Sequence, residues 1–351
     1  MKKIINYLIV ANLTLLMFYL ISLFDVFGTF LHAINKIIII PMAFGIFIAY
    51  ILKPIYKKLC SKNMKPTLAI FIVFITFFII LAIVIFLFGR YIINNGQESI
   101  IVLQDYIMKI QLQEYLDKII QQDYIHNIII NFSRIILTKL QEILVSIKGL
   151  FNEGLLIFSN ILLVILIAIY ILKDEDKIKS NIEKIVPSNY YEVTRDIVDK
   201  TDRILSDYII GQFWVALSLA SMILIGYKII DMPSAIILAS ITFVLAFIPF
   251  IGFFISMIIP YIFAIVSGPI MIIKLTILFI IAQTLKGRVV VPLVMGRAMK
   301  IHPITDIFLV VIAANVFGPI GAFTVVPIYS VLKMIFYTLK EHGLLKRKKF
   351  C

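Results

Sequence analysis

The stretch "FIPFIGFFISMIIP", from Phe247 to Pro260, places two prolines and a glycine inside an apolar segment that otherwise reads as a membrane helix. Proline removes a backbone hydrogen-bond donor, and glycine loses the most conformational freedom when it is ordered. A second stretch, "NVFGPIGAFTVVP" from Asn315 to Pro327, also contains prolines and glycines within an apolar segment. At membrane depth, interrupted backbone is tolerated only where it is buried in protein or lines a cavity. Both stretches therefore predict broken segments that line a pathway.

The composition around these stretches predicts the class of protein. Hydrophobic residues make up 62% of the 351 residues and charged residues only 15%, whereas soluble domains are about half apolar and about a quarter charged. Several apolar runs exceed the ~20 residues that a helix needs to cross the hydrocarbon core. The sequence therefore predicts an all-α polytopic integral membrane protein, with the lipid bilayer as a partner.

The net charge of +13 fits membrane topology better than nucleic-acid binding. Lysine and arginine lie at the ends of apolar runs, as the positive-inside rule predicts, and no nucleic-acid-binding signature accompanies them. The strongest topological marker is a group of cytoplasmic lysines between two apolar runs, namely Lys53, Lys57, Lys58, Lys62 and Lys65. We expect a multi-pass plasma-membrane protein with both termini in the cytoplasm. Cys60 and Cys351 then lie in a reducing compartment, so a structural disulfide is not expected.

Hydropathy divides the chain into five parts. Residues 1–90 hold three apolar runs, the first of which lacks a cleavage site and is interpreted as a retained helix. Residues 91–150 mix polar and apolar positions at helical spacing, which predicts extracytoplasmic amphipathic helices that lie on the membrane or contact a partner. A solvated helical hairpin is an equal alternative. Residues 151–207 hold a fourth span and a cytoplasmic amphipathic helix. Residues 208–340 form the predicted transport core, and the basic tail 341–351 is cytoplasmic.

The transport core contains two segments of matching pattern, which we call hairpin A (residues 233–267) and hairpin B (residues 303–337). In each, a second proline follows the first by 16 positions, and an Ile-Gly pair comes after it. The matching positions are Pro233, Pro249 and Gly252 in hairpin A, and Pro303, Pro319 and Gly321 in hairpin B. The predicted topology makes the hairpins enter from opposite sides, as in the inverted repeats of secondary transporters. Chance spacing of residues that are common in membrane helices is the alternative.

Seven motifs carry a resemblance to a known family over nearly the whole chain. They are "AYILKPI" (49–55), "YILKDED" (170–176), "YIIGQ" (208–212), "IPFIG" (248–252), "VPLVMG" (291–296), "IHP" (301–303) and "FGPIGAFTVVPIYSVLK" (317–333). In their order and spacing, the sequence is similar to the autoinducer-2 exporter (AI-2E) family. The resemblance implies about eight membrane segments and export of a small solute, which is a furanosyl signalling molecule for some members. Other members exchange sodium or lithium for protons. The resemblance also implies a homo-oligomer and suggests a pentamer.

Two positions depart from the family pattern. Members often carry an acidic residue six positions before the proline of "VPLVMG", where this chain has Lys286. Members also often have Gly-Pro at the end of "IPFIG", whereas Phe253 follows Gly252 here. A cation-coupling role for an acid at position 286 therefore does not transfer to this chain.

Polar and helix-breaking residues within the apolar core are the candidate site. Asp306 is the candidate for ion coupling, because ionisable groups inside spans are costly and usually functional; a favourable helix-dipole contact is the alternative. The predicted substrate pathway comprises Gln212, Pro249, Gly252, Gln283, Asn315, Gly318, Pro319 and Gly321. The amides among them fit hydrogen bonds between helices equally well.

The sequence shows no motif for catalysis or for a cofactor. Its four histidines are scattered, and it has no phosphate-binding glycine loop. We therefore expect no enzyme, no metal and no cofactor. The favoured function is a secondary transporter that exports a small solute by alternating access. The alternatives are a sodium or lithium/proton antiporter and a membrane scaffold whose extracytoplasmic helices recruit partners.

Overall fold

The computed structural model describes residues 33–111, 154–249, 251–295 and 302–344. The predicted first span, most of the predicted extracytoplasmic region and most of the basic tail lie outside these residues. Within the described ranges the chain is helical and contains no strand, which agrees with the predicted all-α class.

Ten α-helices make up the described part of the chain. They are α1 (Ile40–Cys60), α2 (Pro66–Gln111), α3 (Gly154–Lys173), α4 (Glu175–Ile185), α5 (Tyr191–Ile229), α6 (Ala235–Leu245), α7 (Ile251–Ser267), α8 (Pro269–Leu285), α9 (Val291–Met295) and α10 (Pro303–Glu341). A π-helical turn, Asn35–Ile39, precedes α1, and a second one, Lys286–Val290, joins α8 to α9.

Five helical stretches of the described chain are long and apolar enough to cross a membrane. They are Asn35–Cys60, Pro66–Leu87, Ser188–Ile229, Pro269–Met295 and Ile304–Glu341. A shorter apolar stretch, Phe158–Lys173, belongs to α3. The protein is therefore a multi-pass membrane protein, as predicted. Helix α2 continues without interruption past residue 90, where the sequence suggested a boundary.

Three packed cores join helices in the described part of the chain. The first joins α1, α2 and α3 through residues such as Ala49, Val73 and Ala168. The second surrounds hairpin A and joins α5, α6, α7 and α8. The third joins α1, α5 and α10, and the apex of hairpin A packs against it. Small residues permit close approach, as is usual in membranes: a methyl group at Gly45 of α1 would lie 2.6 Å from the Ile167 side chain of α3.

Hairpin A is formed by α6 and α7, which pack against each other. At 1.5 Å per residue, α6 is about 16 Å long and α7 about 25 Å. Both lengths are short of the ~30 Å hydrocarbon core. The chain reverses between Leu245 and Ile251, in the segment that contains Pro249. Pro249 of the first quoted stretch therefore marks a true break between helices, whereas Pro260 lies inside α7.

Hairpin B lies within α10, which is broken at Gly318. This residue has φ 69° and ψ −159°, a backbone conformation that is open to glycine and strained for other residues. A methyl group at Gly321 would overlap the carbonyl oxygen of Ala313. In an unbroken helix these two residues would be about 12 Å apart along the axis. The chain therefore folds back on itself at the second quoted stretch as well.

Candidate functional site

The apices of the two hairpins meet at three phenylalanines, which we call the aromatic junction: Phe47, Phe247 and Phe323. The ring centroid of Phe247, in hairpin A, lies 6.0 Å from that of Phe323, in hairpin B. Phe47 of α1 lies 5.4 Å from Phe247 and 5.2 Å from Phe323, edge-on to both rings. Edge-to-face contacts at these distances stabilise aromatic pairs beyond the area they bury. Phe247 and Phe323, which are 76 positions apart in sequence, are thus brought together on α1.

The matching glycines of the two hairpins have the same structural role. A methyl group at Gly252 would overlap the carbonyl oxygen of Leu245, just as one at Gly321 would overlap that of Ala313. Each glycine lets the helix that leaves an apex touch the backbone of the helix that enters it. Pro249 lies in the reversal of hairpin A, where its carbonyl oxygen accepts a hydrogen bond of 2.6 Å from the Ile251 amide.

Gln212 attaches α5 to hairpin A. Its side chain is buried, and its Nε2 donates a hydrogen bond of 2.6 Å to the carbonyl oxygen of Ala246. Ala246 is the C-cap residue of α6, where carbonyl groups lack partners within the helix. Gln212 therefore satisfies a backbone group at the hairpin apex. This contact is the hydrogen bond between helices that the sequence left open as an alternative to substrate contact.

Asp306 is buried without a hydrogen-bond partner for one of its oxygens. Only 7% of the residue is exposed, and among the described residues nothing pairs with Oδ1. Tyr208 of α5 is 1% exposed, and its hydroxyl is likewise unpartnered in the described part of the chain. Tyr208 packs in one core with Val310, which lies one turn after Asp306 on α10. The sequence predicted Asp306 as a candidate but missed Tyr208, which begins the "YIIGQ" motif one turn before Gln212.

A partly buried ion-pair network joins α1, α4 and α5. Lys53 Nζ lies 2.6 Å from Asp202 Oδ1 and 3.2 Å from Glu175 Oε1, and the Lys53 side chain is 9% exposed. The Tyr50 hydroxyl also donates to Asp202 Oδ1, at 2.9 Å. The remaining members of the network are Lys57, Lys179 and Asp199. Lys53 is thus a structural ion-pair residue, besides the topological marker that the sequence suggested.

Lys179 shows how the network involves the charged face of α4. Burial acts to lower the pKa of Lys179, but a hydrogen bond to Asp199 and the charges of Asp202 and Glu175 hold the pKa above its ordinary value. Lys179 Nζ lies 3.0 Å from Asp199 Oδ1 and 3.6 Å from Glu175 Oε1. This side of α4 is therefore bound to α5.

Two family motifs meet in this network. Tyr50 and Lys53 belong to "AYILKPI", and Glu175 belongs to "YILKDED". The sequence model described as "AI-2E family transporter" matches residues 8–341. The chain belongs to the AI-2E family of transporters.

Two relatives from Bacillus subtilis (strain 168) illustrate the range of the AI-2E family. "Putative transport protein YueF" is 27% identical over 311 residues, which is 85% of this chain and 83% of the relative. "Putative transport protein YrrI" is 24% identical over 340 residues, which is 95% of each chain. The residues matched by the family model, 8–341, include the junction, both hairpins and the ion-pair network.

Lys286, which departs from the AI-2E pattern, lies against hairpin A. It is the first residue of the π-helical turn Lys286–Val290, and such turns are frequent at functional sites. Its Nζ lies 5.7 Å from the ring centroid of Phe253, a distance at which a cation is attracted to the ring. Both departures from the AI-2E pattern, Lys286 and Phe253, therefore contact each other beside the apex glycine.

Not all predicted pathway residues lie at the aromatic junction. Asn315 is exposed, and its Nδ2 donates to the Val311 carbonyl oxygen of its own helix at 2.8 Å. Gln283 lies on α8 and has a buried Oε1 with no partner among the described residues. Gly318 and Pro319 form the break of hairpin B itself. The role of these residues in a substrate pathway stays a prediction.

Proposed function

We propose that this protein is a secondary transporter that exports a small solute by alternating access between its two hairpins. The observation that carries the proposal is the contact of both apices at the aromatic junction. Broken helices that meet inside a membrane protein are typical of transporter binding sites. The aromatic and apolar surroundings suit a small organic solute, which is the class that the family resemblance implies.

The proposal includes several finer features. We propose about eight membrane segments, an inverted relation between hairpins A and B, cytoplasmic termini and no enzymatic activity. The equal proline spacing and the matching apex glycines support the relation between the hairpins. Homo-oligomeric assembly, with a pentamer as the suggested form, rests on the family resemblance.

Export is tested with a variant of the aromatic junction. Phe323→Ala removes the ring that links hairpin B to hairpin A and to Phe47, so we expect loss of export by at least about tenfold, as a cost of 1.4 kcal/mol or more implies. Untargeted mass spectrometry would compare solutes inside and outside cells that produce the wild type or Phe323→Ala at equal membrane levels. Phe86→Ala is the matched control, since that ring is exposed on α2.

The two results lead to different conclusions. A solute that the wild type and Phe86→Ala deplete from cells, and that Phe323→Ala does not, supports export through the junction. Identical solute distributions in cells with the wild type, both variants and an empty vector would contradict export.

A sodium or lithium/proton antiporter is the second candidate, favoured by the burial of Asp306. Proteoliposomes with an internal pH dye would receive a sodium or lithium gradient, with wild type and Asp306→Asn side by side. For an antiporter, we expect cation-dependent proton movement that Asp306→Asn abolishes, because an amide does not exchange a proton. Wild-type protein that is folded but gives no signal argues against antiport, and a signal that survives the substitution excludes Asp306 from coupling.

A further inference from the structure

We propose that Asp306 and Tyr208 form a proton-binding site that is connected to both hairpins. In the present conformation the Asp306 carboxyl group carries the proton. Proton binding itself does not depend on transport, whereas its use to drive export rests on the function proposed above. The site joins the first turn of hairpin B to the face of α5 that holds hairpin A.

The burial of both polar groups is the first argument. Asp306 Oδ1 and the Tyr208 hydroxyl are each shielded from water and lack a hydrogen-bond partner among the described residues. Tyr208 packs in one apolar core with Ile209, Val310 and Val326, and Val310 lies one turn after Asp306 on α10. An unpaired carboxylate is strongly disfavoured in such surroundings, whereas a neutral carboxylic acid is tolerated. Asp306 is therefore expected to hold a proton here.

The charged and titratable groups of the surrounding helices do not neutralise Asp306. Helix α5 contributes Tyr208. Helix α1 contributes Tyr50, whose hydroxyl is engaged by Asp202, and Lys53, which is paired with Asp202 and Glu175. No lysine or arginine of the described residues forms an ion pair with Asp306.

The small number of oxygen ligands favours a proton over a metal cation. Hard cations such as Ca²⁺ and Mg²⁺ take about six or more oxygen ligands, but the pair offers one carboxyl group and one hydroxyl. The described residues contain no group of three or more His, Cys, Asp or Glu side chains that could hold a metal ion. A single proton needs only the carboxyl oxygen.

The position of Tyr208 connects this site to hairpin A. Tyr208 and Gln212 are four residues apart on α5 and therefore lie on the same face. Gln212 holds the Ala246 carbonyl at the apex of hairpin A, and Asp306 lies at the start of hairpin B. When the carboxyl O–H bond breaks and water takes the proton, the carboxylate becomes an acceptor for the Tyr208 hydroxyl. Movement of Tyr208 toward Asp306 would then pull on the contact between α5 and hairpin A.

Infrared spectroscopy of the purified full-length protein in nanodiscs tests the site without a known substrate. At neutral pH we expect an absorption band of a protonated carboxylic acid in the wild type, and its absence in Asp306→Asn. The band should disappear as the pH is raised. In Tyr208→Phe the midpoint of this disappearance should move up by about one pH unit or more, because the carboxylate loses a hydrogen-bond donor. Asp231→Asn, which removes an exposed carboxyl group, is the matched control.

Three results would overturn the proposal. The first is a neutral-pH spectrum in which Asp306→Asn and the wild type show the same carboxylic-acid absorption. The second is a midpoint that Tyr208→Phe leaves unchanged, which would exclude Tyr208 from the site. The third is loss of the band on adding sodium or lithium in place of choline at constant pH, which would show a metal-cation site. Each readout is independent of export, so failure here and failure of the proposed function can be told apart.

Discussion

Gly252→Ala is expected to prevent the formation of hairpin A and to lower sharply the yield of folded protein. The new methyl group would overlap the carbonyl oxygen of Leu245. That carbonyl cannot swing aside easily, because it already accepts a hydrogen bond of 2.9 Å from the Ile248 amide. Overpacking against side chains costs about 1–3 kcal/mol. A clash between backbone segments that must both move should exceed about 3 kcal/mol.

The measurement is the thermal unfolding midpoint and the monodisperse yield of the detergent-extracted protein. Gly287→Ala is the matched control, because no atom lies within 4 Å of a methyl group at that position. We expect the control to behave like the wild type, and Gly321→Ala to resemble Gly252→Ala, since it clashes with Ala313 in the same way. A Gly252→Ala protein with wild-type midpoint and yield would show that the apex is not packed as described.

The positions of both hairpin breaks were predictable from the sequence because their cause is local. Proline and glycine are the residues that most readily end or kink a helix, so Pro249, Gly252, Gly318 and Gly321 could be recognised as candidates without knowledge of the fold. Pro54 and Pro260 show that such a residue can also lie inside a helix. The burial of Asp306 was partly predictable for the same reason, since an acid within an apolar run stands out.

The contacts between distant segments were not predictable by these means. Tyr208 looks like an ordinary interfacial aromatic residue, and the sequence does not show that it packs in one core with Val310, 102 positions later and one turn after Asp306. Phe47, Phe247 and Phe323 are three among 28 phenylalanines, so their meeting required the folded chain. The positive-inside rule accounts for lysines beside apolar runs without any partner. The sequence therefore offered no reason to expect that Lys53 pairs with Asp202, 149 positions away.

The ion-pair network provides the second large expected effect. Lys53→Met should lower the free energy of unfolding by about 3 kcal/mol, because Asp202 and Glu175 lose the most deeply buried cation beside them. Lys179 remains 3.8 Å from Asp202 Oδ2 and 3.6 Å from Glu175 Oε1. The expected loss is at the low end for breaking a buried ion pair, since the side chains of Asp202 and Glu175 remain 24% and 19% exposed. The measurement is denaturant unfolding in detergent, followed by the fluorescence of Trp214, the one tryptophan of the chain.

A control variant separates the effect of breaking the Lys53–Asp202 pair from the effect of losing any lysine. Lys57→Met is the matched control: its side chain is 58% exposed, so its pair with Glu175 should contribute less than about 1 kcal/mol. Adding Asp202→Leu to Lys53→Met should restore part of the lost stability, because the double variant leaves no uncompensated charge at that position. If Lys53→Met and Lys57→Met are equally stable, or if the double variant loses the sum of the single effects, then Lys53 and Asp202 are not coupled. If Lys53 and Asp202 are coupled, the network holds α4 and the N-terminal part of α5 against α1. Any rearrangement of the hairpins would then occur against this fixed base.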